Sequence, residues 1–378
     1  MPSIASILLL LAVFAMAFAN GSNDISKGIA TLVGSGVSDY RKAILWGTGW
    51  TLAGTLIAAW FSKAMIDTFA RGIVDPRFEV SDSLLAAVLV GAVGWVVLAS
   101  RTGLPVSTTH TIAGAFCGAA VVAFGGQGVS WVSLSQKILG PLFLSPVLAM
   151  VAVWALFPFL RRWLLPLSSA CACREAQTVQ PVVSMVSGAG VLSSAMPLQV
   201  QRLVVNDIDV CRDQGFQGMG MKLDDLLHWL SSGLTSFARG LNDGPKIAAL
   251  GLSVAVAFDL GSFDLFVLVG IGMGLGCLVA GRRVTETMAE KITPMTPTEG
   301  LSANLITGVL VTLASRWGIP VSTTHVSSSA IIGLGLHRPD SPVHWKTVRL
   351  IVQAWIVTLP ASAGLAGAAF WLIRSVIQ

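Results

Sequence analysis

Charge is what this chain has least of. Of its 378 residues only 11% are Asp, Glu, Lys or Arg, while 54% are hydrophobic, and the mean hydropathy is +0.76. Soluble globular proteins carry about 25% charged residues, so too little polar surface is present here for a water-soluble fold. Tyrosine is reduced to one residue while tryptophan numbers 12, as suits side chains placed at a lipid interface. No nucleotide-binding motif occurs, so ATP-driven chemistry would require a partner. Five cysteines are present. The Cys171-x-Cys173 pair is short and isolated, which reads as incidental rather than as a metal or redox site, and no metal or cofactor is expected. The first apolar stretch has no basic n-region and runs into Asn and Asp rather than into a cleavage site, so it reads as a retained span.

Long apolar runs fill the space the charges leave. Ser3–Ala19, Ala43–Phe61, Leu84–Ser100, Ile138–Leu160 and Arg349–Leu372 approach or exceed the roughly 20 residues that cross a bilayer as a helix. The net charge of +5 suits basic residues flanking spans on the cytoplasmic side better than it suits nucleic acid. The expected class is an all-α polytopic protein of a prokaryotic cytoplasmic membrane, with the lipid bilayer as its main partner.

An internal repeat organises the chain. Phe18–Lys27 reads FANGSNDISK and Phe237–Lys246 reads FARGLNDGPK. Leu98–His110 reads LASRTGLPVSTTH and Leu313–His325 reads LASRWGIPVSTTH. Both motifs recur in the same order at similar separation, which marks a duplication. The chain divides into a first repeat over 1–160, a polar central segment over 161–230 and a second repeat over 231–378. The central segment follows Arg161 and Arg162, which favours the cytoplasmic side, and it reads as a linker with one amphipathic helix near Lys222–Leu230. Duplicated halves with interrupted apolar segments are typical of secondary transporters. Inverted halves with broken or re-entrant helices at the midplane are the expectation.

The first motif places ionisable groups at membrane depth, where they are expensive and mark a cavity or a pathway. Asp24 and Lys27, like Asp243 and Lys246, are three apart and share a helix face, so each pair can lower its own burial cost. Gly244-Pro245 is expected to break the second helix. In the other motif, Gly103 and Gly318 end one segment, and Pro105 and Pro320 suit the first turn of the next. Ser107, Thr108, Thr109 and Ser322, Thr323, Thr324 stand at that helix start. Two such N-termini offer N–H groups and partial positive charge to an anion. Simple N-capping does not account for two nearly identical copies. His110 and His325 read as proton-linked groups, ligand contacts or packed helix residues. Glu286, Glu290, Lys291, Thr298, Glu299 and Asn304 form an interfacial loop or add cavity groups; Lys63–Arg77, their counterpart, retains little of that pattern.

These residues resemble the PiT family of inorganic phosphate transporters, which carries a duplicated Gly-x-Asn-Asp motif and a duplicated Pro-x-Ser-Thr-Thr-His-like motif. The resemblance covers both halves. It implies cation-coupled import of inorganic phosphate through a site lined by Asn23, Asp24, Asn242, Asp243, Ser107, Thr108, Thr109, Ser322, Thr323 and Thr324. One departure stands out: sodium-coupled members carry Asn where this chain has Lys27 and Lys246. A fixed ammonium there can take the place of sodium and can lend charge to the oxyanion, so Lys27 and Lys246 join the substrate-binding residues, and H+ is favoured over Na+ as the coupling cation, with Asp24, Asp243, His110 and His325 as coupling candidates. Sulfate is the nearest rival substrate. A divalent-cation carrier is opposed by the two lysines. A membrane hydrolase is opposed by the duplication, since an active site rarely needs two copies of each element. A passive channel and a homodimer remain compatible with the sequence.

Overall fold

The computed structural model describes residues 2–179, 198–209, 221–337 and 343–377. The first repeat forms α1 (Ile4–Asp24), α2 (Ser26–Gly34), α3 (Tyr40–Phe61), α4 (Lys63–Arg71), α5 (Asp82–Thr102), α6 (Thr108–Phe124) and α7 (Gly140–Leu164). A short turn at Trp131–Ser133 and a π-helical turn at Leu134–Leu139 lead into α7. The second repeat forms α8 (Leu223–Ala257), α9 (Ser262–Ala280), α10 (Arg282–Glu290), α11 (Pro297–Arg316), α12 (Thr323–Gly335) and α13 (Trp345–Ile377). The order of elements is the same in both, with α8 standing where α1 and α2 stand. Six helices among the described residues are long and apolar enough to cross a membrane. One of them, Ser262–Ala280, is not among the five runs expected above.

Capping residues set several of the helix ends. Ser3, Asp39 and Ser81 accept hydrogen bonds from the backbone N–H groups of Ser6, Lys42 and Leu84, satisfying donors that have no intrahelical partner. Thr296 and Glu299 form a capping box at the start of α11, with Pro297 just inside it. Gly103 and Gly318 close α5 and α11 with φ of 74° and 67°, a conformation that glycine enters without strain.

The helices pack on small residues. Gly21 lies against the Met273 carbonyl and Gly276 against the Phe18 carbonyl, so α1 and α9 touch backbone to backbone. Gly54 and Gly240 do the same between α3 and α8, and Gly114 and Gly118 between α6 and α13. Close approach through small residues is how helices associate where lipid removes the hydrophobic drive. These contacts also give directions. Phe18 meets Gly276 and Ile25 meets Gly281, so α1 and α9 run the same way. The Trp46 indole donates to the Trp229 carbonyl, and Gly54 meets Phe237, so α3 and α8 run the same way. Residues 35–39 turn the chain back between α2 and α3, bringing Gly47 against Ile25 and Ile29. Large side chains such as Leu8, Trp60, Val90, Phe143 and Trp154 face outward, as a bilayer permits.

Several expectations change here. The membrane repeats are helical as expected, and the central segment adds a small sheet, pairing β1 (Ala170–Val179) antiparallel with β2 (Leu198–Asp207) and β3 (Met221–Lys222). The helix expected near Lys222–Leu230 is the first part of α8, and α7 runs past residue 160. Cys171, read as incidental, is disulfide-bonded. Cys211 lies outside the described residues. Gly244-Pro245 does not break its helix, since α8 continues through Pro245. Proline removes one donor, and long helices absorb that as a kink. In the first copy Ile25, between α1 and α2, keeps helical dihedrals of φ −57° and ψ −33° and donates to the Gly21 carbonyl, so Ile4–Gly34 also runs on as one span. Pro105 and Pro320 lie two residues before the N-caps Ser107 and Ser322, in the extended linkers rather than in a first helical turn.

Replacing Gly276 with Leu is expected to abolish the folded species in detergent, because the Phe18 carbonyl occupies the new side chain's space. Gly364→Ala, on α13 with nothing within 4 Å of the added carbon, is expected to leave the melting temperature unchanged or raise it slightly, alanine being preferred over glycine in a helix by about 1 kcal/mol. Thermal unfolding of the two variants checks both.

Candidate functional site

The four motif copies meet at one buried place. In the first half, Lys27 extends back along its helix, and its ammonium donates to three oxygens: Asp24 Oδ1 at 2.5 Å, Asn23 Oδ1 at 2.9 Å and the Asn23 carbonyl at 2.9 Å. In the second half the Lys246 ammonium also meets three oxygens: Thr109 Oγ1 at 2.7 Å, the Val321 carbonyl at 3.0 Å and Asp243 Oδ1 at 3.1 Å. An ammonium has three protons to give, so each lysine is saturated. Lys27, Lys246 and their aspartates are at most 1% exposed. A buried ion pair is tolerable only with this degree of hydrogen bonding.

The asparagines hold the hairpin tips. Asn23 Nδ2 donates to the Leu104 carbonyl at 3.0 Å and to Ser100 Oγ at 3.2 Å, while its Oδ1 accepts from Val106 N–H at 3.1 Å. Asn242 Nδ2 donates to the Val321 carbonyl at 3.1 Å, and its Oδ1 accepts from Ser315 Oγ at 3.4 Å. Ser100 and Ser315, Leu104 and Ile319, and Val106 and Val321 occupy matching places in the repeated motif. The extended linkers 103–107 and 318–322 carry backbone groups that no helix pairs; inside a membrane such groups need protein partners or a cavity. The asparagines supply several.

The two tips interlock. Thr109 Oγ1 donates to the Val321 carbonyl at 3.4 Å, and Thr324 Oγ1 donates to the Val106 carbonyl at 2.7 Å. Each half therefore reaches the linker of the other. Ser107 and Ser322 cap α6 and α12, accepting from the N–H groups of His110 and His325 at 3.2 Å. Thr108 Oγ1 donates to Asp24 Oδ2 at 2.9 Å. Thr323, its counterpart, is likewise buried. At the centre, Asn20 Nδ2 lies 3.2 Å from Asp24 Oδ2, 3.3 Å from Asp243 Oδ2 and 2.8 Å from Thr108 Oγ1. One amide thus joins both carboxylates. The result is a closed polar core in which two helix N-termini, two carboxylates and two ammonium groups converge between the halves.

Comparison with known proteins agrees with this arrangement. A family model described as the phosphate transporter family matches residues 20–366. The chain belongs to the phosphate transporter family. A Pyrococcus abyssi protein bearing the name of a phosphate permease is 30% identical over 98% of both chains. The chloroplastic inorganic phosphate transporter 2-1 of Arabidopsis thaliana is 29% identical, over 97% of this chain and 71% of that one. A solved structure titled the sodium-dependent phosphate transporter superposes with a TM-score of 0.78 over 99% of this chain and 100% of its own, at 23% identity, which establishes the shared fold. The family is one of transporters rather than enzymes, and this member is a multi-pass protein of the cell membrane.

All twelve residues expected at the site are buried and lie within this one network or directly beside it. The histidines do not join the aspartates. Their rings lie 4.7 Å apart, His325 packs 4.1 Å from Trp355, and both line an apolar cavity between α7 and α13 with Leu142, Phe143 and Leu359. Among the described residues no hydrogen bond links either ring to Asp24, Lys27, Asp243 or Lys246. Of the polar residues before the second motif, Asn304 is drawn toward α2, donating to the Gly28 carbonyl at 3.3 Å. Glu299 serves as a cap, and Glu286 pairs with Arg282 on the exposed face of α10. Sequence reasoning missed Asn20, Ser100, Ser315 and Arg239. All four sit inside the quoted repeats, so closer comparison of the copies, position by position, was the available signal.

Lys27→Gln is expected to lower the melting temperature strongly, because removing one partner of a buried pair costs ~3–5 kcal/mol. The double variant Asp24→Asn/Lys27→Gln is expected to recover most of that loss, since no charge is then stranded. Melting curves of the single and double variants in detergent test the pair.

Proposed function

We propose that this protein imports inorganic phosphate by secondary active transport, with protons rather than sodium as the coupling cation. The observation that carries the coupling reading is the pair of saturated ammonium groups. Each lysine nitrogen sits among three oxygens, including a carboxylate oxygen and a backbone carbonyl, the kind of oxygen shell that would otherwise suit a small hard cation. With the ammonium in place, a sodium ion has no room on those same oxygens. The sodium-dependent solved neighbour favours the opposite coupling, so the lysines and that likeness pull apart. The ammonium is preferred here because it belongs to this chain's own residues.

The oxyanion would be held between the N-termini of α6 and α12, where the first N–H groups of each helix lack an intrahelical partner, with Ser107, Thr108, Thr109, Ser322, Thr323 and Thr324 adding hydroxyls. Asn23 and Asn242 would fix the linkers that present these donors. Asp24 and Asp243 oppose a dianion. A proton on or near either one relieves that opposition, and linkage requires that the anion then favour the proton equally. Phosphate can carry an exchangeable proton to an aspartate; fully ionised sulfate cannot, which makes sulfate the second reading. The halves are taken as inverted repeats, because α8 runs with α3 while α1 runs with α9. Rocking of one helix set against the other around the interlocked tips would open the buried site to each side in turn.

Purified protein in liposomes, given labelled phosphate and either a proton or a sodium gradient, tests the proposal. The expected result is proton-driven uptake without sodium and poor competition by sulfate. Strict sodium dependence would discard the coupling role of Lys27 and Lys246, and sulfate uptake without phosphate uptake would replace the substrate. Asp24→Asn and Asp243→Asn are each expected to reduce proton-driven uptake roughly 5–150-fold, the range of a coupling free energy of about 1–3 kcal/mol. Normal uptake by both variants would reject the scheme.

A further inference from the structure

Arg239 is the odd charge in the buried core. It is fully buried, and it heads the largest side chains that are. It stands four residues before Asp243 on α8, one turn up the same face, where Asn20 stands four residues before Asp24. The two repeats read FANGSND and FARGLND, so this is the one position in that motif where a neutral residue in one copy is a cation in the other. Asn20 reaches inward to both carboxylates. Arg239 does not: its Nη2 contacts Thr51 Oγ1 at 2.8 Å and Cys277 Sγ at 3.3 Å, and its Nε and Nη1 have no hydrogen-bond partner among the described residues.

The reason is that the carboxylates are already engaged. Asp243 Oδ1 accepts from Asn242 and Lys246, and its Oδ2 from Asn20. Asp24 Oδ1 accepts from Lys27, and its Oδ2 from Asn20 and Thr108. Each aspartate has its own lysine, so Arg239 is a third cation against two carboxylates. Both lysines have spent all three protons, which leaves Arg239 as the cation of this core with donors to spare. A guanidinium buried without a counter-ion is a heavy desolvation burden, more so at membrane depth, and it does not lose its proton in proteins.

We infer that Arg239 is a charge-setting residue for the transported anion: its uncompensated guanidinium gives the closed core one excess positive charge, which a singly charged tetrahedral oxyanion neutralises without a bound metal cation. This inference rests on the phosphate reading above and deepens it. Phosphate as its monoanion, or as its dianion together with one proton, leaves the core neutral. Sulfate brings a second negative charge and no proton, so it leaves the occupied core with one excess negative charge where phosphate leaves none. The residue acts through its field, as a positioning group rather than one that undergoes chemistry. A packing role between α3 and α9 would predict something different, namely that any shortening of the side chain lowers stability.

The test is thermal unfolding in sodium-free detergent, with and without inorganic phosphate or sulfate, and phosphate uptake in liposomes. Arg239→Gln is expected to leave the ligand-free melting temperature unchanged or raise it, because an unpaired buried charge has gone. Its phosphate-induced stabilisation is expected to shrink, and its KM for phosphate to rise roughly tenfold or more, the scale of one unit charge at an effective permittivity of about 20. Arg239→Lys keeps the charge and is expected to retain the phosphate response, which also decides the matter if Arg239→Gln does not fold. An unchanged phosphate response in Arg239→Gln, or a lost response in folded Arg239→Lys, would overturn the inference. The unaltered protein separates this from the wider reading: stabilisation by phosphate with an unchanged response in Arg239→Gln overturns the inference alone, whereas stabilisation by sulfate but not phosphate would replace the substrate and overturn the single-charge match with it.

Discussion

Two lysine–aspartate pairs at membrane depth govern this structure. Neither charge in a pair can be held alone in a low-dielectric interior, and each pair must also satisfy its remaining protons and lone pairs. The surrounding chain answers that need: asparagine beside each aspartate, threonines from one hairpin tip, and the backbone carbonyls of Asn23 and Val321. The extended linkers are stabilised in turn, because their unpaired backbone groups find partners on Asn23, Asn242 and the opposite tip. Ion pair and broken backbone therefore hold each other in place. That mutual dependence brings non-helical chain to the middle of a helical membrane protein.

The interlock between halves follows from the same economy of donors and acceptors. Thr109 and Thr324 each cross to the other tip's valine carbonyl, so neither tip is complete by itself. The small-residue seams, α1 on α9, α3 on α8 and α6 on α13, bring backbones together closely enough for these short side chains to reach. Glycine at the seams and threonine at the tips are two parts of one arrangement. Bulk at the former would separate the groups that meet at the latter.

The departures from symmetry are as informative as the symmetry. Asn20 lies at the centre and touches both carboxylates, whereas Arg239 is turned aside toward Thr51 and Cys277. Only one small amide fits between two closely placed aspartates, and the larger guanidinium is left to pack elsewhere. The first copy joins α1 to α2 through Ile25, while the second runs through Pro245 as part of one 35-residue helix. A duplicated sequence does not oblige its copies to perform equal tasks, and here the difference falls on charge.

Much of this protein was legible in its sequence. Scarce charge and long apolar runs determined a helical membrane protein. The repeated motifs determined two halves, and the spacing of three between Asp and Lys determined their pairing, because helix periodicity is local. The Ser caps at Ser107 and Ser322 follow from the same local rules. Tertiary structure decided what local rules do not reach. It decided that the histidine rings pack with Trp355 and away from the aspartates, that the lysines spend all their protons, and that proline does not interrupt α8. It decided too that Arg239, among the described residues, is left without a salt bridge to either aspartate. Each of these turns on which oxygens from distant segments arrive first at a given donor, and only the packed fold settles that.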